Sequence, residues 1–137
     1  IRTPFIAHWP GVIKPGMTNQ VGHIIDVSAT FRDITGAKYP KEILGNKTKP
    51  PLGKSLLPIL KGEEREPHQE IYWHFNRANA VRQGDLKVVR AGKAWELYDL
   101  KADPTETNNL AKERPEKTAE LAQKWEAWRE DYKNKPK

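Results

Sequence analysis

Apolar and polar positions alternate along Trp95-Glu-Leu-Tyr-Asp-Leu100, with Trp95, Leu97 and Asp99 toward one side and Glu96, Tyr98 and Leu100 toward the other. That is the period of a strand. Asp103-Pro104 ends it, because proline has no amide hydrogen to add to a ladder. The Asp, Thr and Asn side chains that follow satisfy nearby backbone groups, which predicts an ordered turn over residues 101–109. Upstream come Glu70-Ile-Tyr-Trp-His-Phe75 and Ala80-Val-Arg-Gln-Gly-Asp-Leu-Lys-Val-Val-Arg90, the second broken by the turn-forming pair Gly84-Asp85 and parted from Trp95 by Ala91-Gly92-Lys93. The spacing predicts an antiparallel β-meander of about four strands.

A different period governs the C-terminal end. Pro115 suits a first helical turn, and Leu121, Trp125, Trp128 and Tyr132 then recur at i, i+4, i+7 and i+11. This aromatic stripe is expected to pack on the meander, with Glu120, Lys124, Glu126 and Arg129 toward water, and the basic tail at residues 133–137 to fray. A second helix is predicted over residues 26–35, with Asp26 as N-cap, Gly36 just past its end and Val27, Phe31 and Ile34 on its packing side. Residues 4–9 read as a strand with apolar groups on both faces, as in the interior of a parallel sheet. The fold class is therefore α+β: a small antiparallel meander packed by a long C-terminal helix, preceded by a strand and a helix.

Composition narrows this picture. Only 36% of the 137 residues are hydrophobic, so the core is expected to be small and to rest on five tryptophans, four tyrosines and three phenylalanines. No apolar run approaches the ~20 residues of a membrane-spanning helix, so no membrane partner is expected. The absence of cysteine excludes disulfides and thiol chemistry without fixing a compartment. Of the formal charge of +6, nearly all sits in residues 38–61, where lysines 38, 41, 47, 49, 54 and 61 face a single acid, Glu42. Proline and glycine in that stretch predict a loop with one apolar helical turn at residues 56–60. It could attract a polyanion, but lysine without arginine or interleaved aromatics is a poor recognition surface, so a solvated loop is the favoured reading and nucleic acid is disfavoured.

Four motifs in order resemble one family. Arg2-Thr-Pro-Phe-Ile-Ala-His-Trp-Pro-Gly11, Ser55-Leu-Leu-Pro-Ile-Leu-Lys-Gly62, the Tyr72-Trp-His and Ala80-Val-Arg strands, and Trp95-Glu-Leu-Tyr-Asp-Leu with Asp103-Pro-Thr-Glu-Thr-Asn-Asn-Leu110 are similar to the C-terminal portion of type I sulfatases, arylsulfatase-like members of the alkaline phosphatase superfamily. The resemblance implies a parent that hydrolyses sulfate esters with a formylglycine and calcium. It also implies that residues 1–62 are the tail of a catalytic α/β domain and 63–137 a C-terminal subdomain, and that the location is periplasmic or secreted. Ile1 is not an initiator methionine, so a C-terminal piece of a longer protein is expected, with the N-terminal catalytic domain of the same chain as its partner.

The nucleophile is expected elsewhere, since the Cys/Ser-x-Pro-x-Arg motif of the family is absent and Ser55-Leu-Leu-Pro58 has the wrong spacing. The chain alone is thus expected to be inactive. Its aspartates, at 26, 33, 85, 99, 103 and 131, stand singly, and hard cations need six or more oxygen ligands, so no metal is expected here. The groups suited to an anionic sugar or aryl sulfate gather between His74 and Arg82, where an imidazole, two amides and two guanidiniums share one connection. The resemblance puts the loop after the Tyr-Trp strand near the pocket mouth, which implies substrate-binding roles for His74, Asn76 and Arg77. Arg82 is read as a structural ion-pair partner of Asp85, Glu96 or Asp99, and His23 as a histidine bonded where a helix begins. A phosphoesterase or phosphonate hydrolase of the same superfamily and a polyanion-binding module are the alternative readings.

Overall fold

A computed structural model describes residues 3–134; Arg2 and residues 135–137 of the basic tail lie outside the described residues. The chain divides into two compact units, Ile1–Pro67 and His68–Lys137.

The first unit is organised around α1 (Ile24–Thr35). His23 is its N-cap, accepting from the Ile25 amide at 3.4 Å, while the Asp26 carboxylate reaches back to the His23 amide at 2.9 Å. This is a capping box, so the helix starts before Asp26 and that residue closes the box from N3 instead of being the N-cap itself. Gly36, at φ 68°, ends the helix in the left-handed conformation, as expected.

The packing side of α1 differs from the expected one. Asp26, Ala29 and Thr30 are buried, whereas Phe31 is 64% exposed and Ile34 37%. The cause lies in hydrogen bonds across the chain: the Lys54 amide donates to Asp26 at 2.8 Å and the Leu56 amide to Thr30 Oγ1 at 2.8 Å. These bonds turn the polar face inward, and the short helix α2 (Leu57–Leu60) follows directly. Arg65 completes the arrangement by donating to the carbonyls of Val21 at 2.7 Å and Lys54 at 2.8 Å and to Asp26 at 3.1 Å. It thereby ties residues 63–67 to this unit.

Two further features depart from the sequence reading. Residues 4–9 form no strand, because a strand needs a neighbour to bond to and the described residues supply none. Residues 38–61 contain, besides the expected helical turn, a small antiparallel hairpin of β1 (Glu42–Ile43) and β2 (Asn46–Lys47). Its turn, Leu44-Gly45, has φ of 51° and 81°, the paired left-handed geometry that matches strand twist.

Gly53 is where the loop presses closest to α1. A Cβ at this position would lie 2.2 Å from the Ile25 carbonyl oxygen and 2.8 Å from its carbon. Backbone on both sides leaves nothing flexible to yield. Gly53→Ala is therefore expected to destabilise the first unit by about 1–3 kcal/mol, read as a lower urea midpoint; an unchanged midpoint would show that the loop does not press on the helix.

The second unit is a four-stranded antiparallel sheet in the order β3 (Ile71–Phe75), β4 (Ala78–Gln83), β5 (Leu86–Arg90) and β6 (Glu96–Asp99), crossed by α3 (Pro115–Asn134). The expected meander and long helix are both present. Register places Tyr72, Val81, Val88 and Leu97 in one row across the sheet. That row meets Leu121 and Trp125 of α3, and Val81, Val88, Leu97 and Leu121 are fully buried. Trp128 stacks on Tyr72 with ring centroids 5.0 Å apart and planes 5° from parallel.

The polar side of α3 is less free than its pattern predicts. Lys124 pairs with Glu70 at 2.7 Å, and Glu126 with Arg90 at 3.0 Å, so the helix is pinned at both edges of its apolar stripe. The Glu70 hydrogen bond raises the Lys124 pKa, while burial, reinforced by Glu70, raises that of Tyr72.

Residues 101–109 form the expected ordered turn, and Asp103 is its centre. Its carboxylate accepts from the Thr107 and Asn108 amides, both at 2.8 Å, and from the Thr105 and Thr107 hydroxyls at 3.2 and 3.1 Å. Beyond it, Asn109 accepts from the Leu97 amide at 3.2 Å and the Leu110 amide donates to the Leu97 carbonyl at 2.8 Å, which satisfies the outer side of edge strand β6. Glu106, at φ 60°, reaches the buried Lys87 at 2.6 Å.

The Asn108 amide, then the Thr107 hydroxyl and amide and the Thr105 hydroxyl, hold the Asp103 carboxyl below its ordinary value of 3.8. A carboxyl depressed by folding contributes stability that is complete above the unfolded value and lost as pH falls through the folded one. The melting temperature of the second unit is therefore expected to fall as pH drops below about 4, and less steeply in Asp103→Asn. Superimposable acid profiles for the two proteins would count against this role.

Candidate functional site

The β3–β4 hairpin presents the groups best suited to meet a ligand. His74 pairs with Asn79 and Phe75 with Ala78, so the turn consists of Asn76 and Arg77 alone. Asn76 has φ of 52°, a region asparagine enters more readily than most residues because its short side chain can bond locally. The three residues assigned substrate-binding roles from sequence, His74, Asn76 and Arg77, thus come together on one exposed tip.

Of the three, His74 is held most firmly. Its Nδ1 lies 2.8 Å from Asn79 Oδ1, and its ring sits 5.8 Å from that of Trp125, tilted by 53°. Trp125 is itself fixed by donating its indole N–H to the Trp73 carbonyl at 2.9 Å. The next residue in the cross-strand row is Arg90, paired with Asn79. Its guanidinium lies 4.4 Å from the Trp95 ring centroid and 5.6 Å from that of Trp125, and bonds Glu126 at 3.0 Å. One end of the sheet therefore collects an imidazole, two amides and two guanidiniums, a set of hydrogen-bond donors matched to oxyanions and sugar hydroxyls.

Other candidates are engaged in bonds of their own. Arg82 donates to the Gly84 carbonyl at 2.7 Å and stands 4.0 Å from Asp85, one of its expected ion-pair partners. His23 caps α1. A cleft of about 300 Å³ in the first unit is lined by Gln20, Val21, Ile59 and Arg65 among others, but the Arg65 guanidinium is committed to Asp26 and three carbonyls. In the lysine-rich stretch, Lys54 is occupied by Glu66 at 3.2 Å and the Pro67 carbonyl at 2.9 Å.

A calcium ion does not fit the described residues. Among the described residues no three His, Cys, Asp or Glu side chains stand together. The most deeply buried carboxylate, Asp26, is surrounded by N–H donors, which compete with a cation instead of helping to bind one.

Asn79 belongs to the group gathered between His74 and Arg82 in the sequence but carries no role of its own there, and Arg90 lies outside that stretch. The signal was available: a two-residue turn at Asn76-Arg77 makes His74 and Asn79 directly opposite, and the next turn carries the row to Arg90.

Comparisons with known proteins agree with this architecture. The model of the family described as N-sulphoglucosamine sulphohydrolase, C-terminal, matches residues 1–131. The ulvan-active sulfatase of Formosa agariphila is 32% identical over an alignment covering 81% of this chain and 29% of that protein. The N-acetylglucosamine-6-O-sulfatase of Bacteroides thetaiotaomicron is 31% identical over 97% of this chain and 26% of that protein. A protein solved in complex with its substrate, D-glucosamine-2-N,6-O-disulfate, superposes with a TM-score of 0.55 at 30% identity, over 81% of this chain and 24% of that one. The chain thus spans less than a third of the length of these relatives. It belongs to the N-sulphoglucosamine sulphohydrolase C-terminal family and is a C-terminal region of the sulfatase kind.

Proposed function

We propose that this chain is the C-terminal part of a periplasmic or secreted sulfatase that removes sulfate from a sulfated glycan, and that the β3–β4 tip forms part of its substrate rim. The observation that carries the reading is the convergence of His74, Asn76 and Arg77 on one exposed hairpin in a chain of this family. The relatives support the substrate class, since one is an N-acetylglucosamine-6-O-sulfatase and another was solved with a disulfated glucosamine. The formylglycine nucleophile and calcium belong to an N-terminal catalytic domain of the same polypeptide. The role of the described residues is to bind and orient: Arg77 offers its planar donors to an anionic group, and Asn76 and His74 bond neutral oxygens.

The test is an assay of the full-length protein on a sulfated glucosamine, an aryl sulfate and an aryl phosphate, with and without Arg77→Ala. A lost hydrogen bond to a charged group is worth about 1.5–3 kcal/mol, so the variant is expected to lose about ten- to a hundredfold in kcat/KM on the sulfated sugar. Phosphatase activity without sulfatase activity would replace the reading by that of a phosphoesterase. Unchanged kcat/KM would remove Arg77 from the rim.

A further inference from the structure

We propose that Asn79 is a positioning residue that fixes the tautomer of His74 and so makes the site selective for a substrate bearing a hydroxyl beside its sulfate. The proposal rests on the reading of the β3–β4 tip as a substrate rim. Asn79 is only 8% exposed and sits directly across the sheet from His74. Its Nδ2 faces the Arg77 carbonyl at 3.4 Å, which sets the orientation of the amide and leaves Oδ1 toward the imidazole, 2.8 Å from Nδ1. An amide oxygen only accepts, so Nδ1 must carry the hydrogen. In the neutral ring Nε2 is then a bare acceptor. The Trp125 ring, 5.8 Å away, restricts rotation of the imidazole and keeps Nε2 directed away from the amide.

A bare Nε2 repels an anionic oxygen and accepts from an O–H. The Arg77 guanidinium is left for the sulfate, while His74 reads a neighbouring hydroxyl. A simple aryl sulfate offers the anion and lacks the hydroxyl. Selectivity follows from this division, because a site built to bond a hydroxyl discriminates against a substrate that lacks it.

The experiment is 15N NMR of the imidazoles in the full-length protein labelled with 15N-histidine, using His74→Gln to assign the signal, together with kinetics on a sulfated glucosamine and an aryl sulfate. The wild-type protein is expected to show His74 with the hydrogen on Nδ1. Asn79→Leu is expected to shift it toward Nε2, the form an isolated histidine side chain favours, and to raise KM about tenfold on the sulfated sugar, a larger rise than on the aryl sulfate. Asn79→Asp, which keeps an acceptor oxygen, is expected to keep the wild-type tautomer. A wild-type ring with its hydrogen on Nε2 overturns the proposal without any variant having to fold. An equal rise in KM on both substrates also overturns it. If instead the tautomer is as stated but His74→Gln leaves the sulfated-sugar kinetics unchanged, the rim reading fails and the selectivity falls with it, while the tautomer assignment stands.

Discussion

Replacing Trp125 by alanine is expected to cost the second unit about 3–5 kcal/mol, the range for truncating a large buried aromatic. Trp125 is 3% exposed and lies against the fully buried Leu97, Val88 and Leu121. Its ring is flanked by Trp95 at 5.7 Å, His74 at 5.8 Å and Trp128 at 6.2 Å, so its removal opens a cavity that rigid neighbours cannot easily fill. The variant also loses the indole hydrogen bond to the Trp73 carbonyl. Since whole domains are stable by only about 5–15 kcal/mol, the loss is expected to lower the urea midpoint of the second unit sharply. Trp125→Phe keeps most of the ring and loses the N–H, and a smaller drop is expected. A Trp125→Ala cost below that of Trp128→Ala, whose ring is only half-buried, would mean that α3 is not seated on the sheet as described.

Asp26→Ala is the second large effect. The Asp26 carboxylate is fully buried and the Arg65 side chain 6% exposed, at 3.1 Å. Removing one member of a buried pair leaves the other charge uncompensated, at a cost of about 3–5 kcal/mol. Here the carboxylate also accepts the His23 and Lys54 amides, so its loss disconnects the start of α1 from the loop at residue 54. Asp26→Asn preserves an acceptor and is expected to be milder. A double-mutant cycle with Arg65→Ala separates the pair from its surroundings. Strong coupling in urea unfolding is expected; additive costs would mean that Arg65 is held by the carbonyls of Val21, Lys54 and Ser55 alone.

Both substitutions disturb architecture before chemistry, and only Trp125 touches the candidate site. Its ring lies between His74 and Arg90, the two residues that frame Asn79 across the sheet. Kinetics of a Trp125→Phe enzyme that still folds would therefore report on how far His74 depends on its packing.

The sequence by itself determined the second unit. Alternation over residues 95–100, the turn residues between strands and the Leu121, Trp125, Trp128 and Tyr132 stripe are local periodicities, and a meander with a helix across it joins elements that follow one another along the chain. The Asp103 turn was legible for the same reason, since its bonds span at most five residues. The exposed tip holding His74, Asn76 and Arg77 was legible as a collection of groups. What only the tertiary structure decided is how those groups are oriented and what covers each face. The inward side of α1 is polar because Asp26 and Thr30 receive amides from 28 and 26 residues further on, and Arg65 reaches 39 residues back to Asp26. No periodicity records such distant partners. Residues 4–9 have the pattern of a buried strand, but a strand exists only where a neighbour completes its hydrogen bonds. Asn79 took its role beside His74 only when the register set the two opposite, because a shift of one residue would have turned its side chain to the other face.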